Sequence, residues 1–139
     1  MKLRVFIYLF FALSVLACKQ KNNNVSIIGK WEYQTLESHS GQKINLQDPS
    51  ISVIHESNKG LILSFNQDNT FKVSKNNSGS EMVVSGGTYN VSTDKKTIST
   101  QASDGDEAIF SIIDLTSENL KVSINSTSEE YLVFKKMTK

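Results

Sequence analysis

The sequence predicts an all-β fold, a small antiparallel up-and-down barrel of eight or nine strands. Three observations lead there. Apolar and polar residues alternate with period two from Ile27 onward. Turn-forming clusters recur about every 8–12 residues, the spacing of sandwiches and barrels. No stretch of that region shows a convincing helical period.

The amino terminus is of another kind. Met1-Lys2-Leu3-Arg4 carries two positive charges, and residues 5–17 are nearly all apolar. That run is shorter than the roughly 20 residues a membrane-crossing helix needs, and fits a secretory signal. It ends in Val15-Leu16-Ala17-Cys18, which resembles the bacterial lipobox, where a small residue precedes a lipid-modified cysteine. The resemblance implies that residues 1–17 are a signal peptide. It also implies that Cys18 becomes the mature first residue, carrying a thioether-linked diacylglyceryl group and an amide-linked acyl chain such as palmitate. Several chains give stable attachment, at about 0.8 kcal/mol per buried CH₂. Residues 18–26 then form a tether, whose Lys19-Gln20-Lys21-Asn22-Asn23-Asn24 has no apolar member. The acidic run that resembles a surface-export signal in similar lipoproteins is absent. The expected address is therefore the bacterial cell envelope, on the outer membrane facing the periplasm.

Residues 27–139 are enough for one domain with one core. Strands are expected at 29–36, 51–56, 60–66, 70–75, 82–91, 96–101, 108–115, 119–125 and 130–137. Leu61, Leu63 and Phe65 share one parity, Asn66-Gln67-Asp68-Asn69 turns, and Phe71 and Val73 resume it. Residues 37–50 form the longest irregular stretch, with Gly41 and the single proline, Pro49, and are expected as a loop or lid over one barrel end. Gly86-Gly87 interrupts a strand pattern and marks a bulge or barrel corner. Tyr89 and Val91 lead into the turn Ser92-Thr93-Asp94-Lys95, after which Ile98 and Thr100 resume. Residues 109–115 are apolar on both parities, which implies a strand covered on both faces or a bulge. Leu120, Val122 and Ile124 alternate with Lys121, Ser123 and Asn125 before the last strand. Short connections imply antiparallel neighbours.

Composition excludes more than it selects. Without Lys2 and Arg4 the chain has 13 basic and 14 acidic residues, and Arg4 is the only arginine. The mature chain thus lacks the bidentate clamp for phosphates, and nothing points to nucleic acid. Cys18 is the only cysteine, so no intramolecular disulfide can form. His39 and His55 alone make no usual zinc site, and no HExxH spacing occurs. Asp104-Gly105-Asp106-Glu107 is the densest acidic run, without EF-hand spacing, and reads as a solvated turn. Glu129-Glu130 reads the same way. Asn24, Asn76, Asn90 and Asn125 begin Asn-x-Ser/Thr triplets that read as turn or strand chemistry. No catalytic constellation is present, and no metal or cofactor is implied.

Gly29-Lys30-Trp31 resembles the Gly-x-Trp signature that opens lipocalin barrels. An ordered set follows: 27–33 with that opening, 63–71 as the first strong hairpin, 87–91 as a later strand and 131–136 as the closing one. Together they resemble the lipocalin-like domains of Bacteroidetes lipoproteins over residues 27–137. The chain departs from larger lipocalins in its length, in having no C-terminal helix pattern or disulfide, and in lacking the arginine that lies across their tryptophan. Lys135 or Lys136 is expected to take that place by a cation–π contact.

Eight strands leave an interior that is filled or holds one small ligand. Trp31 is expected to plug one end. Tyr33, Phe65, Phe71, Tyr89, Phe110 and Phe134 join it as the expected interior lining. The resemblance implies a membrane-anchored, non-enzymatic protein binding a small hydrophobic or amphipathic ligand. The alternative is a filled barrel that presents its loops to a protein partner. An enzyme, for instance a hydrolase built on the histidines and a serine, would need a polar pocket that the sequence does not announce.

Overall fold

The computed structural model describes residues 25–42, 44–124 and 130–138. The expected signal peptide, Cys18 and the tether through Asn24 lie outside the described residues. Eight strands follow in chain order: β1 (Gly29–Ser38), β2 (Leu61–Phe65), β3 (Thr70–Asn77), β4 (Ser80–Val91), β5 (Thr97–Ala102), β6 (Glu107–Leu115), β7 (Asn119–Ser123) and β8 (Glu130–Lys136). Each pairs antiparallel with the next, and β8 returns to β1, so the sheet is a closed barrel. Closure removes most of the sheet edges a small β-protein must otherwise protect. The described sheet and its core run from Ile27 to Lys136.

The up-and-down order gives the barrel two unlike ends. The floor gathers the start of β1, the β2–β3, β4–β5 and β6–β7 turns and the end of β8. The mouth gathers the β1–β2 connection and the β3–β4 and β5–β6 turns. Register sets the inward faces: Trp31 lies opposite Leu63 and Lys136, Tyr33 opposite Phe134, and Phe65 opposite Phe71.

The segment expected as strand 51–56 is instead a helix, α1 (Pro49–Asn58), so the strands number eight. Asp48 caps it, its carboxylate accepting the Ser50 backbone N–H at 3.0 Å, and Pro49 sits in the first turn with φ already suited to a helix. The Ser50 hydroxyl, donating at 2.6 Å, and the Ser50 backbone N–H together hold the Asp48 carboxyl below its usual range. Ile51 and Val53 look like strand alternation, but α1 buries none of its residues and so carries no apolar stripe. Ahead of it, Ile44 and Leu46 pack on the core, as Ile51 does from α1. The irregular segment therefore does lie over one barrel end.

In β6 the doubled apolar parity marks a bulge. Register shifts between Ile112 and Asp114, and Ile109 and Ile113 face solvent. At Gly86-Gly87 the ladder to β3 runs unbroken, and the shift falls just before it, where Ser85 and Val83 face Val73 and Ser74. Gly87 is the corner: β4 pairs with β5 only from there on. A Cβ on Gly87 would lie 2.0 Å from the Gln101 carbonyl oxygen, so the strands meet only because that carbon is absent.

Candidate ligand-binding cavity

The floor is solid. Trp31, Leu120 and Phe134 have no exposed surface. The Trp31 indole N–H donates to the Ile27 carbonyl at 2.7 Å, which satisfies its one polar atom. The Lys136 ammonium sits 4.9 Å from the Trp31 ring centroid, within cation–π range; of the two lysines expected for this place, Lys136 fills it. Tyr33 meets Phe134 edge-on at 5.9 Å, and Phe65 meets Tyr89 likewise at 5.0 Å. The Tyr89 hydroxyl donates to the Asn66 carbonyl at 2.8 Å and so ties the barrel wall to the β2–β3 turn.

Above the floor the barrel is hollow on one side. A cavity of about 370 Å³ runs among β2 to β7. Its deep wall is apolar: Phe65, Phe71, Ile98, Phe110, Leu120 and Val122. Leu63, Val73 and Phe110 share the inward parity yet are only partly buried. The space they face is the cavity. Its upper rim is formed by Ser85, Ala102 and the exposed Asp106, with the first residue of β6, Glu107, beside them. This opening follows from Gly87, since β4 above the corner has no β5 partner across from it.

Of the aromatic residues expected to line the interior, Phe65, Phe71 and Phe110 border the cavity. Trp31, Tyr33, Tyr89 and Phe134 also point inward but pack the remaining core, outside this cavity. The aliphatic wall and the rim were not among the expected residues. The aliphatic members share the parity of Phe65 and Phe71, so alternation carried that signal. Of the rim, the sequence singles out only the acidic run 104–107, which it reads as a solvated turn.

The helix closes the other side of the mouth. The Tyr33 hydroxyl and His55 Nδ1 are hydrogen-bonded at 2.9 Å, and the Lys75 ammonium donates to the Ser57 carbonyl at 2.8 Å. Burial, with a smaller contribution from the Glu56 carboxylate, pushes the Tyr33 hydroxyl up to about 12. His39 is hydrogen-bonded to the Tyr131 hydroxyl. Both histidines thus engage tyrosines. No group of three or more His, Cys, Asp or Glu able to hold a metal ion occurs among the described residues. The site can enclose an apolar body and leave one end in water.

Residues 27–122 match the family described as the lipocalin-like domain. Three crystal structures from Bacteroides share the fold. An uncharacterized protein from Bacteroides eggerthii aligns at a TM-score of 0.55 and 16% identity, covering 81% of this chain and 100% of its own. A lipocalin-like protein from Bacteroides uniformis aligns at 0.53 and 15%, covering 79% and 97%. A DUF4847 family protein from Bacteroides vulgatus aligns at 0.51 and 15%, covering 80% and 94%. No curated protein matches the sequence.

Proposed function

The chain belongs to the lipocalin-like domain family, and from that premise we propose that it is a lipid-anchored carrier or sensor of one small hydrophobic or amphipathic molecule at the bacterial cell envelope. Such families generally hold binding proteins rather than enzymes. The observation that carries the reading is the cavity: about 370 Å³, with an aromatic and aliphatic depth and a polar opening. That is the composition of ligand sites and lies at the small end of their roughly 300–1,000 Å³ range. Cys18 supplies the anchor, on the outer membrane facing the periplasm. The described chain starts at Val25 and enters the barrel at the floor. An anchor at Cys18 therefore leads from the closed end, and the opening lies at the opposite one.

Native mass spectrometry of the mature protein from its own envelope tests the reading. The expected result is a one-to-one small molecule that is lost in Ala108→Phe, which fills the cavity beside Phe110. A protein that arrives empty from its host and stays empty against a broad apolar library would overturn it. Cys18→Ala is expected to abolish labelling by a fatty-acid probe; persistent labelling would refute the anchor.

A second reading has its own observation. Val53 of α1 and Met82, Val83 and Val84 of β4 are all more than half exposed at the mouth, as a surface that receives a protein partner would be. In-cell cross-linking from position 83 should then recover one reproducible protein; recovery of none counts against it.

A further inference from the structure

The cavity is a well with one closed end. Three of the strands around it grade the same way from floor to mouth. Along β2 the inward residues pass from buried Phe65 to partly exposed Leu63, and along β3 from buried Phe71 to partly exposed Val73. Along β5 they pass from buried Ile98 to Thr100 and Ala102, both partly exposed. Leu120, at the floor end of β7, closes the well and is backed by Phe134, its partner across the sheet. Phe65 is braced edge-on by Tyr89 at 5.0 Å. Such a stop yields little, because core side chains already pack at crystal-like density.

Two measures of the well's capacity agree. Its volume of about 370 Å³ holds about twelve carbons at roughly 30 Å³ each, the share a water molecule takes in its liquid. Its depth follows from β5, where the strand from Ile98 to Ala102 rises about 3.3 Å per residue and so spans about 13 Å. An extended alkyl chain advances about 1.25 Å per carbon, from the bond length and angle of saturated carbon, so about ten carbons reach from stop to rim. At the rim stands the exposed Asp106, and any further carbon emerges into water.

We propose that the floor acts as a length gauge, so that the site takes an apolar body of about ten to twelve carbons and gains nothing from the longer acyl chains of membrane lipids. Leu120 and Phe65 set the limit. The assignment rests on the binding reading above and sharpens it by naming the size class of the ligand.

The test is a series of primary alcohols, hexanol, octanol, decanol, dodecanol and tetradecanol, followed by titration calorimetry. The longer members are measured by displacement of octanol. The protein is the chain from Cys18 to Lys139, produced without acylation so that no detergent competes for the cavity. Affinity is expected to rise about fourfold per carbon from hexanol to decanol, the increment for burying a methylene, and by less than about twofold in all from dodecanol to tetradecanol. Leu120→Ala empties space at the stop and should restore a rise of at least about fourfold between dodecanol and tetradecanol. A rise that stops at octanol, or that runs undiminished through tetradecanol, overturns the proposal. So does a limit that Leu120→Ala leaves in place. The series on the unaltered chain decides even if the variant fails to fold. If no member binds, the binding reading itself fails, an outcome distinct from failure of the length limit.

Discussion

The two ends of the barrel are built on opposite terms. At the floor, Trp31, Leu120 and Phe134 interlock without exposed surface, and the one indole N–H has its acceptor. At the mouth, α1 buries none of its side chains and is held by a Tyr33–His55 bond and a Lys75–Ser57 bond. Apolar side chains of α1 and β4 stand in solvent there. Cores reach crystal-like packing at a large cost for any void, so a barrel with an internal space must confine it. Here the floor is close-packed and the internal space lies toward the mouth.

Four substitutions test that division, from the largest expected effect to the smallest. Trp31→Ala removes the floor's largest side chain and should destabilise the barrel by about 3–5 kcal/mol in urea unfolding; a loss under about 1 kcal/mol would show that the floor is not the stabilising end. Gly87→Val sets a branched side chain where even a Cβ lies 2.0 Å from a carbonyl oxygen. It should cost about 1–3 kcal/mol in the same assay, by parting β4 from β5.

Tyr33→Phe breaks the main side-chain bond between α1 and the barrel and should cost about 1 kcal/mol. It should also speed proteolysis within α1 without speeding it in the β2–β3 hairpin. The same hydroxyl makes an alkaline prediction. Its folded value, about 12, lies above the ordinary 10.0. The folded state therefore holds the proton more tightly, and the associated stability is complete below pH 10 and lost as pH rises toward 12. Thermal melts of Tyr33→Phe should lack that part of the decline. Lys136→Met keeps the aliphatic stem over Trp31 and removes the charge. It should cost about 0.5–1 kcal/mol, which places the floor's stability in packing rather than in the cation.

The sequence made the barrel legible where apolar residues recur at alternate positions along a strand. Leu61 through Val73 shows this, and the structure pairs those residues as the alternation implies, Phe65 against Phe71. It failed at 51–56 because α1 touches the core mainly through the partly buried Ile51 and Tyr33's partner His55. With no buried stripe, helical periodicity had nothing to print, and two β-branched residues at alternate positions imitated a strand. The sequence held a counter-signal in Asp48-Pro49, a cap residue followed by a first-turn proline.

The cavity was half legible. Inward parity identifies Phe65, Phe71 and Phe110, but it treats Trp31 and Phe134 identically, because a filled layer and an empty one both require apolar residues. What separates them is where the sheet turns its corner at Gly87 and how far β5 extends beyond it. Those are properties of strand pairing, which period-two patterns leave open.

The pairing of β8 with β1 has a consequence for how the molecule is made. Trp31 belongs to the first strand, yet it finds Lys136 opposite only when the last strand arrives. Contacts this distant along the chain must meet the entropy of loop closure before they return any stability, which places such topologies among the slower folders, in milliseconds to seconds. A nascent chain still missing β8 has two unsatisfied strand edges and a tryptophan without its cover, so the barrel closes only once its final strand is made.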